Sequence, residues 1–380
     1  MVKSKTGKNG ELPPALPTPS QNTGNNRILQ VDILKGLAII AVILIHTFPD
    51  VLLAFVGAPY YLWQAVPVFL LLAAFTGALS YRRLKKRTLL QSYDLTVFYR
   101  RFKRILLPFI VICIIQIAVI LWLLPKNMPL YVQYAAQLQS GIFGTLAFLI
   151  GGAAGPGNYF VPLILIQILA LPFFYWLATR YSPNAMLAFA FVLDIALQYG
   201  LSMAGTSSAM SGLNYINYLF LTALGIWFAL QVRKQTTAIL IAGLLSAAYI
   251  TAVYYFKFQF WFISPSSGFF TEFSYFWTLV LVMYGIQYLP SSHSSKSFSI
   301  IAELGKASWH IFLVQMTFLA IFMDAMVSSI SNAIAEPGLF GALIAQAELT
   351  LPSLVICSGI GYGFYLAEDA FRKKNPNKYS

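Results

Sequence analysis

Ten stretches of the chain stay apolar over a length that can cross a lipid bilayer, roughly 17–25 residues for a helix. They fall at about 31–48, 60–80, 105–124, 158–178, 185–203, 215–231, 236–256, 272–289, 308–328 and 339–366. The last is overlong and contains Pro352, which predicts a kink or a tilt. Clusters of Gly, Pro, Ser and Asn mark the joints, as at Pro183-Asn184 and Ser264 to Gly268. One stretch breaks the pattern. Ile142 to Ala154 is apolar but Gly-rich, and its uninterrupted part is too short to cross. Met1 to Asn26 holds no apolar run and no signal-peptide h-region; it is expected to be a disordered tail.

Composition removes the soluble alternatives. Of 380 residues, 58% are hydrophobic and 10% charged, against about 25% charged in an ordinary soluble domain. So few charges cannot cover a water-facing surface, which excludes a soluble globular enzyme and a disordered protein. The expected fold is an all-α integral membrane protein, a bundle of about ten transmembrane helices. The net charge of +13 invites a nucleic-acid reading. Its placement answers that. With the N-terminus cytoplasmic, 22 of the 25 Lys and Arg fall in cytoplasmic segments, and only Lys126 and Lys257 fall outside, with Lys35 within a span. An eleventh span at 142–154 would put every later basic cluster on the wrong side. That stretch is therefore expected to be re-entrant or interfacial, within a long outer loop.

The basic excess is thus a topology signal with attraction to membrane lipids, and no nucleic-acid partner is expected. Both termini are expected to be cytoplasmic and the location the plasma (inner) membrane, crossed many times. Three parts follow: the tail 1–26, a membrane domain 27–370 and a basic cytoplasmic tail 371–380. Cys113 and Cys357 both sit in apolar runs, make no CxxC pair, and no metal site is expected.

The first span carries the candidate chemistry, because ionisable residues inside a span are costly and default to functional roles. Lys35 and His46 lie eleven positions apart, about 20° after whole helical turns, and Asp32 lies about 40° from His46. All three project from one helix face. His46 stands about 16 Å beyond Lys35 along the axis. Asp32 and Lys35, at i and i+3, are spaced to pair. The dense basic run Arg82 to Arg87 and cluster Arg100 to Arg104 share one inner loop. That loop is either a solvated surface or a phosphate-binding one, since guanidinium groups grip phosphate oxygens bidentately.

The stretch VDILKGLAIIAVILIHTF resembles the opening of the acyltransferase-3 family of membrane acyltransferases: Asp, then a basic residue, then His eleven positions later. Most members have Arg as that basic residue, and a branch has Lys, as at Lys35. Further resemblances follow in order: VPVFLLLAAF (66–75), FYRRFKRILLPF (98–109), GNYFVPLILIQ (157–167), LGKASWHIFLVQ (304–315) and YLAEDAFRKK (365–374). Two departures stand out. Ala73-Ala74 replaces the usual Ser-Gly, and Gln315 stands where the family pattern ends in His.

The resemblance implies a membrane acyltransferase that moves an acyl group, typically acetyl, from acyl-CoA to a hydroxyl of a carbohydrate or lipid-linked sugar. Acetyl-CoA would be a co-substrate, and no permanently bound cofactor is implied. Arg101 and Arg104, with Arg82 or Arg83, would hold the CoA phosphates from the cytoplasm. His46 would be the general base on the acceptor hydroxyl. Lys35 and Asp32 would line the donor path or hold the helix.

Asp50, Glu272, Asp324 and Glu348 are candidates to orient His46. Asp194, near the middle of its span, is either protonated, paired or site-lining. His310 reads as an interfacial polar residue, and His293 as an uninvolved loop residue. Tyr60, Tyr61 and Trp63, or Phe260 to Phe262, are candidates to stack on sugar rings. No HExxH, Walker A or GxSxG motif occurs. The competing class is a multi-pass transporter or flippase, which would need no acetyl-CoA; against it, the two halves show no internal repeat.

Overall fold

In hydrocarbon each backbone N–H and C=O must be satisfied within its own segment, so apolar runs of this length fold as helices. A computed structural model describes residues 27–85, 88–203, 218–231, 236–258, 271–292, 295–333 and 339–374. The tail 1–26, the terminal stretch 375–380, His293 and Phe260 to Phe262 lie outside the described residues.

In chain order the helices are α1 (Leu29–Thr47), α2 (Asp50–Phe55), α3 (Ala65–Arg83), α4 (Leu89–Ser92), α5 (Leu95–Ala118), α6 (Pro129–Gln139), α7 (Ile142–Ile150), α8 (Phe160–Arg180), α9 (Pro183–Met203), α10 (Leu219–Gln231), α11 (Thr236–Tyr254), α12 (Tyr275–Tyr288), α13 (Lys296–Lys306), α14 (Ser308–Ala333) and α15 (Leu339–Lys374). No strand occurs among the described residues. A helix lies on each of the ten apolar runs. Six helical stretches, built on α1, α3, α5, α8, α11 and α15, are long and apolar enough to cross a membrane. The pair α13–α14, bent by 71°, makes a seventh if counted as one span. The helix α15 continues on both sides of Pro352. The ambiguous stretch forms the nine-residue α7, about 14 Å long and well short of a bilayer core.

Helix α1 is the hub, packing on α3, α12, α13, α14 and α15. Its approach to α13 is backbone against backbone. A Cβ on Gly36 would lie 2.0 Å from the Ile301 carbonyl oxygen, and one on Gly305 would lie 1.7 Å from that of Asp32. Small residues allow this contact, and it brings Lys306, the residue after Gly305, to the Asp32 end of α1. Helix α5 starts at Asp94, whose carboxylate accepts the Thr96 N–H at 2.9 Å. Such a cap contributes about 1 kcal/mol, and it fixes the helix start that carries Arg101 and Arg104.

Candidate active site

Helices α1, α3, α5, α8, α13 and α14 enclose a cavity of about 300 Å³. Its basic end holds Arg27, Asp32, Lys35, Arg101, Arg104 and Lys306; its other walls are largely apolar and include Phe69, Phe160 and Phe312. Asp32 pairs with Arg27 at 3.9 Å. The i, i+3 spacing predicts Lys35 as its partner, but Arg27, where the chain enters α1, takes that place and leaves Lys35 as cavity wall. Lys306 pairs with Glu303 at 2.5 Å. Among the described residues, Lys35, Arg101 and Arg104 have no carboxylate within ion-pair distance. Three cations without an ion-pair partner among the described residues therefore face one cavity, with Asp32 the one carboxylate among its walls.

Local sequence holds them there. The Arg101 guanidinium lies over the buried Tyr81 ring, 4.5 Å from its centroid, a cation–π contact. Pro108, inside α5, has no N–H to donate to the carbonyl of residue i−4, which is Arg104. Trp309 Nε1 donates to the Ile105 carbonyl at 3.1 Å and ties α14 to α5 beside Arg104. Ala73 lines the cavity where the family pattern has serine, so no hydroxyl is presented there. Arg82 and Arg83 are exposed at the end of α3 and are not cavity walls.

His46 sits in the last turn of α1, half-buried, beyond the apolar end of the cavity. A Cβ on Gly157 would lie 3.5 Å from His46 Nε2 and 3.3 Å from the Phe312 ring. Phe312 is also a cavity wall and packs on Phe160 at 5.2 Å between centroids. The imidazole and the cavity thus share one neighbour. The loop that meets His46 has Gly152, Gly155 and Gly157 at φ +88°, +115° and +83°, values that L side chains rarely adopt. The buried Gln116 clamps this loop: it accepts the Ala154 N–H at 2.9 Å and donates to the Ala154 carbonyl at 3.0 Å. No described residue hydrogen-bonds the His46 ring. Of the four carboxylates expected to orient it, Asp50 and Glu348 are exposed and Glu272 is bonded elsewhere. The Asp324 side chain lies outside the described residues.

The family model described as an acyltransferase domain, acyltransferase-3, matches residues 28–364. The chain belongs to the acyltransferase-3 family. No curated protein and no solved structure matches it. Family membership and the long apolar helices together make the chain a membrane acyltransferase. The matched stretch contains α1, the cavity walls from Asp32 to Phe312 and the Gly157 loop, so the geometry above belongs to the acyltransferase-3 domain.

Two buried polar clusters lie outside that cavity's apolar end. Asp194 is fully buried; it accepts the Phe220 N–H at 2.9 Å and the Gln198 amide at 3.1 Å. The same Gln198 amide donates to Glu272 at 2.6 Å, so one side chain bridges two buried acids. Asp194 is therefore a partnered structural group. Asp194→Ala is expected to lower stability by about 2–3 kcal/mol, because a buried N–H and an amide lose their acceptor; a fall in the thermal midpoint of the detergent-solubilised chain checks it. His310, expected at an interface, is instead buried and hydrogen-bonded to Glu368 at 2.5 Å, and Arg372 holds the other oxygen of Glu368. Gln315, at the position where the acyltransferase-3 pattern has His, is fully buried, and neither end of its amide has a partner among the described residues.

Proposed function

We propose that this membrane acyltransferase moves an acyl group, most simply acetyl, from acyl-CoA to a hydroxyl of a carbohydrate or lipid-linked sugar. The observation that carries this reading is the set of three cations without an ion-pair partner among the described residues, Lys35, Arg101 and Arg104, in a cavity whose other end is apolar. A polyanionic head with a long neutral arm fits that division of charge. The phosphates of CoA meet the guanidinium groups, and the pantetheine arm runs past Phe160 and Phe312 toward His46. The rise from Lys35 to His46, about 16 Å, matches the reach such an arm needs.

At the far end His46 takes the proton of the acceptor hydroxyl as its oxygen attacks the thioester carbonyl. The carbon–sulfur bond then breaks, and the departing sulfur recovers the proton from the imidazole. Lys35 lines the donor path, and Asp32 with Arg27 anchors the start of α1. Arg82, exposed at the end of α3, meets the donor only at the entrance. In this reading the chain crosses the plasma membrane ten times with both termini in the cytoplasm, so that the basic end of the cavity faces the CoA pool and His46 the outer leaflet. The basic residues clustered in alternate connections support that orientation.

The test is transfer itself. Detergent-solubilised chain supplied with labelled acetyl-CoA and a surface-glycan or glycolipid fraction is expected to label the acceptor, with a mass gain of one acetyl group per site. Movement of a sugar or lipid substrate across vesicles in the absence of any acyl-CoA, with no label transferred, would establish the transporter class instead.

A further inference from the structure

Beside the main cavity, across shared wall residues, lies a second, smaller cleft of about 50 Å³. The two share Arg104, Ile105, Lys306 and Trp309, and the cleft adds His310 from α14 and Tyr365, Glu368, Asp369 and Arg372 from α15. Its charges are arranged to receive an anion. Glu368 is held by His310 at 2.5 Å and by Arg372, and Asp369 is held by Lys373 at 2.7 Å. Both acids on the wall are thereby matched, and Arg104 is the wall cation without an ion-pair partner among the described residues. Lys306 is engaged with Glu303 at 2.5 Å, but that carboxylate is 40% exposed. A pair of that kind contributes about 0–1 kcal/mol and opens readily toward a stronger anion.

We infer that this cleft is a subsite for the ribose 3′-phosphate of the donor, with Arg104 and Lys306 as its cations, Arg372 as the residue that neutralises Glu368 and His310 as its second hydrogen-bond partner. The inference rests on the acyl-CoA reading above and deepens it. CoA carries two separated phosphate groups, a pyrophosphate at the ribose 5′ position and a monophosphate at the 3′ position. The structure has two adjoining compartments with Arg104 and Lys306 on the wall they share. Lys35 and Arg101 serve the pyrophosphate in the large one, Arg104 stands on the shared wall, and the small one takes the doubly charged monophosphate. His310 is fixed for its role by packing: its ring meets Phe364 and Tyr365 edge-on at 4.9 and 5.6 Å between centroids. Trp309, on the shared wall, is pinned by its bond to the Ile105 carbonyl and by stacking on Phe312 at 5.6 Å.

The experiment compares acetyl-CoA with acetyl-3′-dephospho-CoA on the full chain in detergent. The native protein is expected to show a KM about tenfold or more higher for the dephospho donor, the loss of one or two charge-assisted hydrogen bonds. In Lys306→Met the ratio of the two KM values is expected to fall toward one. Thermal shift with adenosine 3′,5′-bisphosphate against ADP gives a second readout that needs no turnover: the bisphosphate is expected to stabilise the native chain more, and Lys306→Met to erase the difference. Equal KM values for both donors in the native chain, with acyl transfer intact, overturn the subsite and leave the acyltransferase reading standing. Turnover of neither thioester, with no stabilisation by either nucleotide, overturns the donor assignment and the subsite with it.

Discussion

His46→Ala is expected to lower acyl transfer by about a hundredfold or more while leaving the donor KM close to native, since a positioned general base contributes about 10²–10⁴ in rate. The separation of the two effects follows from where the ring lies. His46 is not a wall of the basic cavity, so CoA binding does not depend on it. No described residue bonds the ring, so its removal strands no donor or acceptor among the described residues and costs their packing little more than the ring's own contacts. The Gly157 backbone and the Phe312 ring remain to shape the pocket. Single-turnover labelling from acetyl-CoA, beside a thermal midpoint in the same detergent, measures both halves. Native-like turnover in the variant removes His46 from the bond chemistry, whatever the fate of the donor assignment.

The apolar runs announced the helices because burial in hydrocarbon leaves a simple signature: length without charge. A helix lies on each of the ten runs, and even the doubtful stretch at 142–154 is readable as a helix too short to cross. The single-helix arithmetic also carries over, since Asp32, Lys35 and His46 stand on one unbroken helix. What the sequence could not show is partnership. Asp32 finds Arg27 rather than Lys35, because which cation turns toward a carboxylate depends on the chain entering the helix and on the cavity beside it. Gln198, bonded to Asp194, meets Glu272 across 74 positions, and His310 meets Glu368 across 58. Hydropathy reports that such groups are buried and is silent about what they touch. The loop against His46 carries a signal of its own. The density of glycine in Gly151 to Gly157 reflects backbone at positive φ pressed against Met316 and the imidazole, not only a break between spans.

The paired substitution Arg101→Gln with Arg104→Gln is expected to raise the donor KM by about a hundredfold, and to raise stability or leave it unchanged. Each guanidinium is worth about 1.5–3 kcal/mol to a phosphate it grips, or roughly tenfold to a hundredfold in affinity. In the chain without donor the same groups act the other way. Arg101, Arg104 and Lys35 face one 300 Å³ cavity, and no carboxylate among the described residues is close enough to pair with any of them. Gathering like charges on the walls of one cavity is a cost the fold carries for the sake of the ligand. Neutral amides of similar length relieve it, and the Tyr81 ring under Arg101 keeps a packing partner. Function and stability therefore move in opposite directions, which a purely structural arginine cluster would not allow. Added salt should weaken donor binding in the native chain and much less in the variant, since fewer charges remain to screen. Donor KM at two ionic strengths and the thermal midpoint settle the matter together. A variant that melts earlier and binds acetyl-CoA as well as the native chain would make these arginines braces between α5 and its neighbours.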